Sequence, residues 1–239
     1  RGELRVREVA ARYGTAAYRE ALAAVLDYAE RQTRAGIAAI PDGDGFLLFA
    51  IEGFVEDFVL RMPWFAGYCG VMVNVSDIYA MGGTPAIALT ILAFPTAQLP
   101  LELLEPLMTG AVEKIEEAGA ALAGGHRIDD ETLKLGFSVT GFVSATRAWT
   151  NANARPGDVL ILTKGLGTGV LISATKEGKA NPLWVQEATA SMAQLNQVPE
   201  LVKDLEIHAA TDITGFGLAG HAMEMAMGSG YQLEIKTSQ

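Results

Sequence analysis

Two segments of this chain set an aspartate against a glycine-rich turn. Ser76-Asp-Ile-Tyr-Ala-Met-Gly-Gly-Thr-Pro carries Asp77, and Thr211-Asp-Ile-Thr-Gly-Phe-Gly-Leu-Ala-Gly-His carries Asp212. A carboxylate offers the hard oxygens that Mg²⁺ takes, and glycine lets backbone N–H groups come close to a phosphate. The pattern points to an enzyme that handles phosphates, with the two segments as opposite walls of a nucleotide–metal site. Each aspartate also has a plainer reading. Asp77 falls in the mostly apolar run Val71–Met81, where Asn74, Asp77 and Met81 share one side at a helical period. That side is either a solvated stripe or a buried polar site that needs a partner or a metal. Asp212 and Thr214 are residue types that cap helix N-termini. Gly215, Gly217 and Gly220 weaken a helix start, which favours close approach of something to the backbone there.

The remaining polar motifs are weaker. Gly124-Gly125-His126 follows an apolar run and reads either as a backbone nest for an anion or as a plain turn, with Asp129 and Asp130 in the loop beyond. Gly165-Leu-Gly-Thr-Gly lacks the spacing of a dinucleotide fingerprint, and no P-loop is present. Lys164 beside it reads as a phosphate contact or, more simply, a solvated lysine. Cys69, the one cysteine, sits in an apolar helix as a small core residue rather than a nucleophile. His126, His208 and His221 are too scattered to propose a zinc site.

The elements that must position these residues alternate along the chain. Helices are expected over Glu8–Arg31, Pro63–Met81 and Leu101–Ala118, the last two stopped by Gly82-Gly83 and Gly119. Gly36–Ile40 and Phe46–Ile51 form a hairpin around Pro41-Asp-Gly-Asp-Gly45. Strands are expected at Ala86–Phe94, Ala120–Ala123 and Leu135–Val143. The turn-rich Asn151–Asp158 marks a boundary between residues 1–150 and 151–239. Beyond it, Val159–Thr163 and Tyr231–Lys236 read as strands, Ile207–Thr211 as extended, and Leu166–Ala174, Asn181–Leu195, Pro199–Leu205 and Gly215–Met227 as helices. This alternation gives an α/β or α+β class.

With 239 residues, 50% hydrophobic and 19% charged, the composition is that of a soluble globular protein. A net charge of −10 argues against nucleic acid or an anionic membrane surface as partner. Any bound polyphosphate must then be neutralised locally by a metal and backbone donors. A single cysteine fits a reducing cytoplasm, and no signal peptide or membrane-length apolar run is visible. The chain begins at Arg1 without Met and stops at Gln239 just after a strand-like run, which reads as a fragment.

In their order, Ser76–Pro85, Gly124-Gly-His-Arg-Ile-Asp-Asp130, Thr150–Gly169 and Thr211–His221 resemble the selenophosphate synthetase (selenide, water dikinase) family of the aminoimidazole ribonucleotide synthetase-like superfamily. The resemblance runs from about residue 70 to the end and is densest from Gly124 to Lys164. It implies a two-domain synthetase-like fold, the first domain contributing strands to a barrel across a homodimer and the second incomplete. It implies ATP held through Mg²⁺, with selenide as the acceptor: ATP, selenide and water give selenophosphate, orthophosphate and AMP. Carried over, Asp77 matches a metal- and ATP-contacting aspartate and Asp212 a second metal ligand. Gly124, Gly125 and His126 match a nucleotide-contacting turn, and Glu52 falls where the family has an aspartate after the hairpin. Two departures stand out. Residues 1–35 contain neither cysteine nor lysine, where the family has a reactive Gly-rich loop with both. Arg34-Ala35-Gly36-Ile37 stands where the family has an Asp-Asp pair. An enzyme using another acceptor on the same scaffold, and a non-catalytic nucleotide-binding subunit, are the alternatives these departures raise.

Overall fold

The structure, a computed structural model, describes residues 37–42, 45–55 and 63–235, with side chains from Trp64 onward. The helix expected at Glu8–Arg31 lies outside them. Strands β1 (Ile37–Asp42) and β2 (Gly45–Val55) pair antiparallel, Asp42 opposite Gly45, as the Asp-Gly hairpin signal requires. Helix α1 (Pro63–Ala80) follows, then β3 (Thr84–Phe94), a 3₁₀ turn at Leu101–Leu103 leading into α2 (Leu104–Glu117), β4 (Ala121–Asp129) and β5 (Lys134–Ser144). They build one sheet in the order β1-β2-β5-β3-β4, antiparallel throughout except for the parallel pair β3–β4, which α2 connects.

Both long helices end by the same device. Gly82 at φ +74° lets its N–H reach Tyr79 O at 2.9 Å while Gly83 N–H reaches Ile78 O at 3.0 Å. Gly119 at φ +76° does the same for α2, with Gly119 N–H on Glu116 O at 2.9 Å and Ala120 N–H on Ile115 O at 3.0 Å. A left-handed glycine at this position satisfies the last carbonyls without steric cost. Between them α1 and α2 touch backbone to backbone. A Cβ on Gly67 would stand 1.9 Å from Leu107 O, and one on Gly110 2.0 Å from Trp64 O.

The core lies between these helices and one face of the sheet. Ala88 and Leu92 of β3, and Leu135, Phe137 and Val139 of β5, meet Val71, Val75 and Ile78 of α1 and Leu107, Ala111 and Ile115 of α2. On the other face Ile87, Leu89, Ile91 and Phe142 stay 44–49% exposed. The alternation that buries one set places the other outward.

The second half is helical: α3 (Thr168–Lys176), α4 (Pro182–Ala193), the short α5 (Val198–Leu201) and α6 (Gly217–Ser229). Asn181 caps α4 by accepting the Leu183 N–H at 2.9 Å, with Pro182 at the first helical position. Three expectations need correction. Val159–Thr163 forms no strand, and neither does the described part of Tyr231–Lys236. Val159 is 83% exposed and Ile161 74%. An apolar run becomes a strand only where a neighbour offers a ladder, and none pairs with these runs among the described residues. Gly124–Asp129, expected as a turn and loop, instead continues β4 along the sheet edge. The glycines allow this. A register shift beside Leu89 absorbs one extra residue, Gly124 takes φ +144°, and Gly125 packs so close to Thr90 that a Cβ would lie 2.5 Å from its carbonyl oxygen.

Candidate functional site

Asp77 sits in the last turn of α1, a helix buried almost all round. It packs on β5 and β2, on α2, and on α4 and α5 of the second half. The solvated-stripe reading therefore fails: Asn74 is 1% exposed and Asp77 6%. Asn74 turns inward and donates from Nδ2 to Gly70 O at 2.7 Å. Above Asp77 lies the segment after α4. Asn196 Nδ2 donates to Ser76 Oγ at 3.0 Å, and Gln197 Nε2 to Glu117 O at 3.3 Å.

The segment before α6 brings Asp212 to the same place. Burial pushes the Asp212 carboxyl above the usual aspartate range; a hydrogen bond with Asp77 pulls it partly back. Two carboxyl groups, 135 residues apart in sequence, thus meet, Asp77 buried and Asp212 partly so. Such a pair holds a proton between them or a cation, because two adjacent buried negative charges are costly otherwise. The donor set suits Mg²⁺, which takes one or two carboxylates and completes its shell with water and substrate phosphates. Among the described residues no third His, Cys, Asp or Glu joins them to form a closed metal cage.

Asp212 is not a simple cap. Helix α6 begins at Gly217, its N-cap Phe216 makes no side-chain capping bond, and Gly217 itself has φ +66°. The turn between is pinned by His221, whose buried Nε2 accepts the Thr214 N–H at 3.1 Å. Zinc-oriented reading of the histidines overlooked this role. Its signal was the position of His221, one turn into the helix that follows the aspartate.

A second polar cluster fastens α4 to the first half. Lys114, 1% exposed, donates from Nζ to Ala193 O at 2.6 Å and to Glu117 Oε2 at 2.5 Å, and lies 3.8 Å from the centre of the Tyr68 ring. Lys164 donates to Ser191 O at 2.9 Å and to Gln194 O. Two cations thus occupy the open carbonyls at the C-terminal end of α4, where the helix dipole favours positive charge. Lys164 is neither solvated nor a free phosphate contact. Burial, and secondly Lys114, lower its affinity for a proton. Nearby Cys69 is buried, its thiol pushed up to about 12 chiefly by burial. It is the small core residue expected.

The other residues singled out lie on the sheet. Glu52 is in β2 with Phe137 of β5 opposite it. Gly124, Gly125 and His126 lie exposed along the edge strand β4, next to Leu89, Thr90 and Ile91 of β3. The structure joins Asp77 to Asp212 directly, and the positions of these four come from the sheet register alone.

Comparison with known proteins agrees with this frame. Residues 32–143 match the N-terminal domain of AIR synthase related proteins, and residues 155–239 match their C-terminal domain. The selenide, water dikinase of Geobacter metallireducens is 41% identical over 236 residues, which are 95% of this chain and 68% of that protein. The chain belongs to the selenide, water dikinase family. The dikinase of Bdellovibrio bacteriovorus is 51% identical over 184 residues, 76% of this chain, and that of Nitrosomonas eutropha 52% over 182 residues, 75% of this chain. The chain spans about half the length of these two dikinases, 53% and 52%. Among solved structures, thiamine monophosphate kinase from Aquifex aeolicus superposes with a TM-score of 0.68 at 23% identity, covering 80% of this chain and 66% of that one. Hydrogenase maturation protein HypE, solved in complex with ATP, gives 0.64 at 23% identity, covering 90% and 66%. The dikinase-family chain therefore has the α/β fold of AIR synthase related proteins. No helix among its described residues is long and apolar enough to cross a membrane.

Proposed function

We propose that this chain is an ATP- and Mg²⁺-dependent phosphotransferase of the selenide, water dikinase type, acting in the cytoplasm on ATP with selenide as acceptor. The observation that carries the reading is the meeting of Asp77 and Asp212, carboxyl groups from separate halves of the chain, one buried and one partly buried, with a hydrogen bond between them. In this reading the pair are metal ligands and not proton carriers. They would hold Mg²⁺, which would supply positive charge against that developing on the phosphate. Asp77 also contacts the nucleotide, with Gly124, Gly125, His126 and Glu52 as further nucleotide contacts. The division into residues 1–150 and 151–239 puts one aspartate in each domain, so the site closes only where the two meet. The exposed apolar face of β3 and β5 supports a homodimer, with a second copy covering Ile87, Leu89, Ile91 and Phe142.

The test is calorimetric titration with ATP, with and without Mg²⁺, followed by product analysis with selenide. Mg²⁺-dependent binding and selenide-dependent AMP formation are expected, and Asp77→Asn or Asp212→Asn abolishes both. Full turnover in both variants would sink the assignment. In a second reading the same site serves a different acceptor. ATP use that ignores selenide would select it, and Mg²⁺-dependent binding without any product would mark a non-catalytic nucleotide-binding subunit.

A further inference from the structure

The Asp212 carboxylate is followed by an exposed, glycine-containing turn. Thr214, Gly215 and Phe216 are exposed, and a Cβ on Gly215 or Gly217 would meet nothing within 4 Å. Little packs around these glycines. The turn's internal bonds are local: Thr211 Oγ1 donates to Asp212 O at 3.1 Å, and Gly217 N–H to Thr214 O at 2.9 Å. Besides the bond between Asp212 and Asp77, His221 ties it to the helix that follows. This residue is 8% exposed on α6 and packs its ring against Phe216, centroids 5.7 Å apart. Its Nε2 accepts the Thr214 N–H at 3.1 Å and lies 3.2 Å from Thr214 Oγ1. Its Nδ1 faces Glu224 Oε2 at 3.5 Å. A ring nitrogen that accepts from an amide carries no proton of its own, so the hydrogen sits on Nδ1, on the Glu224 side.

We infer that His221 is a positioning residue for the nucleotide–metal site. It acts as a neutral acceptor that fixes the Thr214 backbone, and through it sets the Asp212 carboxylate against Asp77. This inference rests on the metal-binding reading of that pair. The hydrogen bond belongs to the turn itself and exists before any ligand arrives, so the site is set in advance instead of being assembled by the nucleotide.

The test compares His221→Phe, which keeps the ring and loses the acceptor, with His221→Gln, whose Oε1 restores one. Amide hydrogen exchange at Thr214 in the ligand-free chain, and Mg²⁺-dependent ATP binding by calorimetry, are the readouts. His221→Phe is expected to speed Thr214 exchange and weaken Mg²⁺-dependent binding, each by on the order of tenfold, the effect of one lost hydrogen bond. His221→Gln should stay within about threefold of the parent on both. Parent-like exchange and binding in His221→Phe overturns the inference. So does a glutamine variant as impaired as the phenylalanine one, since a restored acceptor would then have restored nothing. Should His221→Phe fail to fold, the glutamine variant alone decides by the same limits. A parent chain without Mg²⁺-dependent ATP binding would instead refute the metal reading, and the exchange comparison would still judge the anchor.

Discussion

Replacing Gly110 by Ala puts one methyl group where α1 and α2 touch. The new Cβ would stand 2.0 Å from the carbonyl oxygen of Trp64 and 2.8 Å from its carbonyl carbon. Real Cβ contacts essentially never fall below 3.0 Å. The obstacle is backbone, so no side chain can rotate away. The helices must part by about 1 Å, and a gap of that size forfeits roughly a quarter to a half of the dispersion energy along the seam. Overpacking of this kind costs about 3 kcal/mol at its upper end, and the preference of a helix for Ala over Gly returns about 1 kcal/mol. The net loss of about 2 kcal/mol lowers the melting temperature of a chain this size by about 4–8 °C. Gly67→Ala, facing Leu107 O at 1.9 Å, should do the same. Gly169→Ala is the control. It lies in α3 with nothing within 4 Å of the added methyl, so stability should hold or rise by about 0.5 kcal/mol. Thermal melts of the three variants read the result. If Gly110→Ala melts at or above the parent, as the control does, the α1–α2 contact is not as described.

Three further outcomes are expected. In the metal-free chain Asp77→Asn should raise the melting temperature at neutral pH while removing Mg²⁺-dependent ATP binding, since an amide can donate to the Asp212 carboxylate. Asp212 is raised above 3.8 when folded, so the folded state gains from its proton in acid and loses that gain as pH rises through the raised value. The advantage of the Asp77→Asn variant should therefore vanish in acid, and a melting temperature below the parent at neutral pH would refute the pairing. His208 Nδ1 meets Asp158 Oδ1 at 2.8 Å, and its Nε2 lies 3.0 Å from Glu206 Oε1 and 2.8 Å from Arg155 Nη1. Its affinity for a proton is raised above 6.5, chiefly by Asp158 and then Glu206, while both carboxylates are lowered from 3.8 and 4.5. The cluster contributes fully between pH 4.5 and 6.5 and fades above the raised His208 value, so His208→Ala should flatten the fall in melting temperature above pH 6.5; an unchanged slope counts against it. Cys69, pushed up to about 12, should react with iodoacetamide at pH 8 roughly a thousandfold slower in the native chain than in urea, and rapid native labelling would show it is accessible.

What could be read from the residues was local. Gly82 and Gly119 announce the ends of α1 and α2, Asp-Gly announces the hairpin, and the apolar runs Ala86–Phe94 and Leu135–Val143 announce β3 and β5. What could not be read depends on neighbours. Val159–Thr163 has the composition of a strand and no ladder to join. Gly124-Gly125 has the composition of a turn, yet Thr90 lies where only a glycine strand can pass. The two aspartates stood out from their motifs, but Asn74, Asp77 and Met81 fit a wet stripe as well as a buried one until α2, the sheet and α4 cover the helix. Lys164 carried no hint that it would meet the end of a helix from its own half, nor Lys114 that it would cross from the other half to the same point.

Salt should distinguish the two charged fastenings of the second half. The Arg155, Asp158, Glu206 and His208 cluster stands at the surface, with Glu206 76% exposed, and added electrolyte screens it. The lysines at the end of α4 are shielded, and their partners are mostly neutral carbonyls held at short range, so ionic strength has little purchase on them. Concentrated salt would then loosen the Arg155–Asp158 stretch while α4 stays docked on α1 and α2 above Asp77.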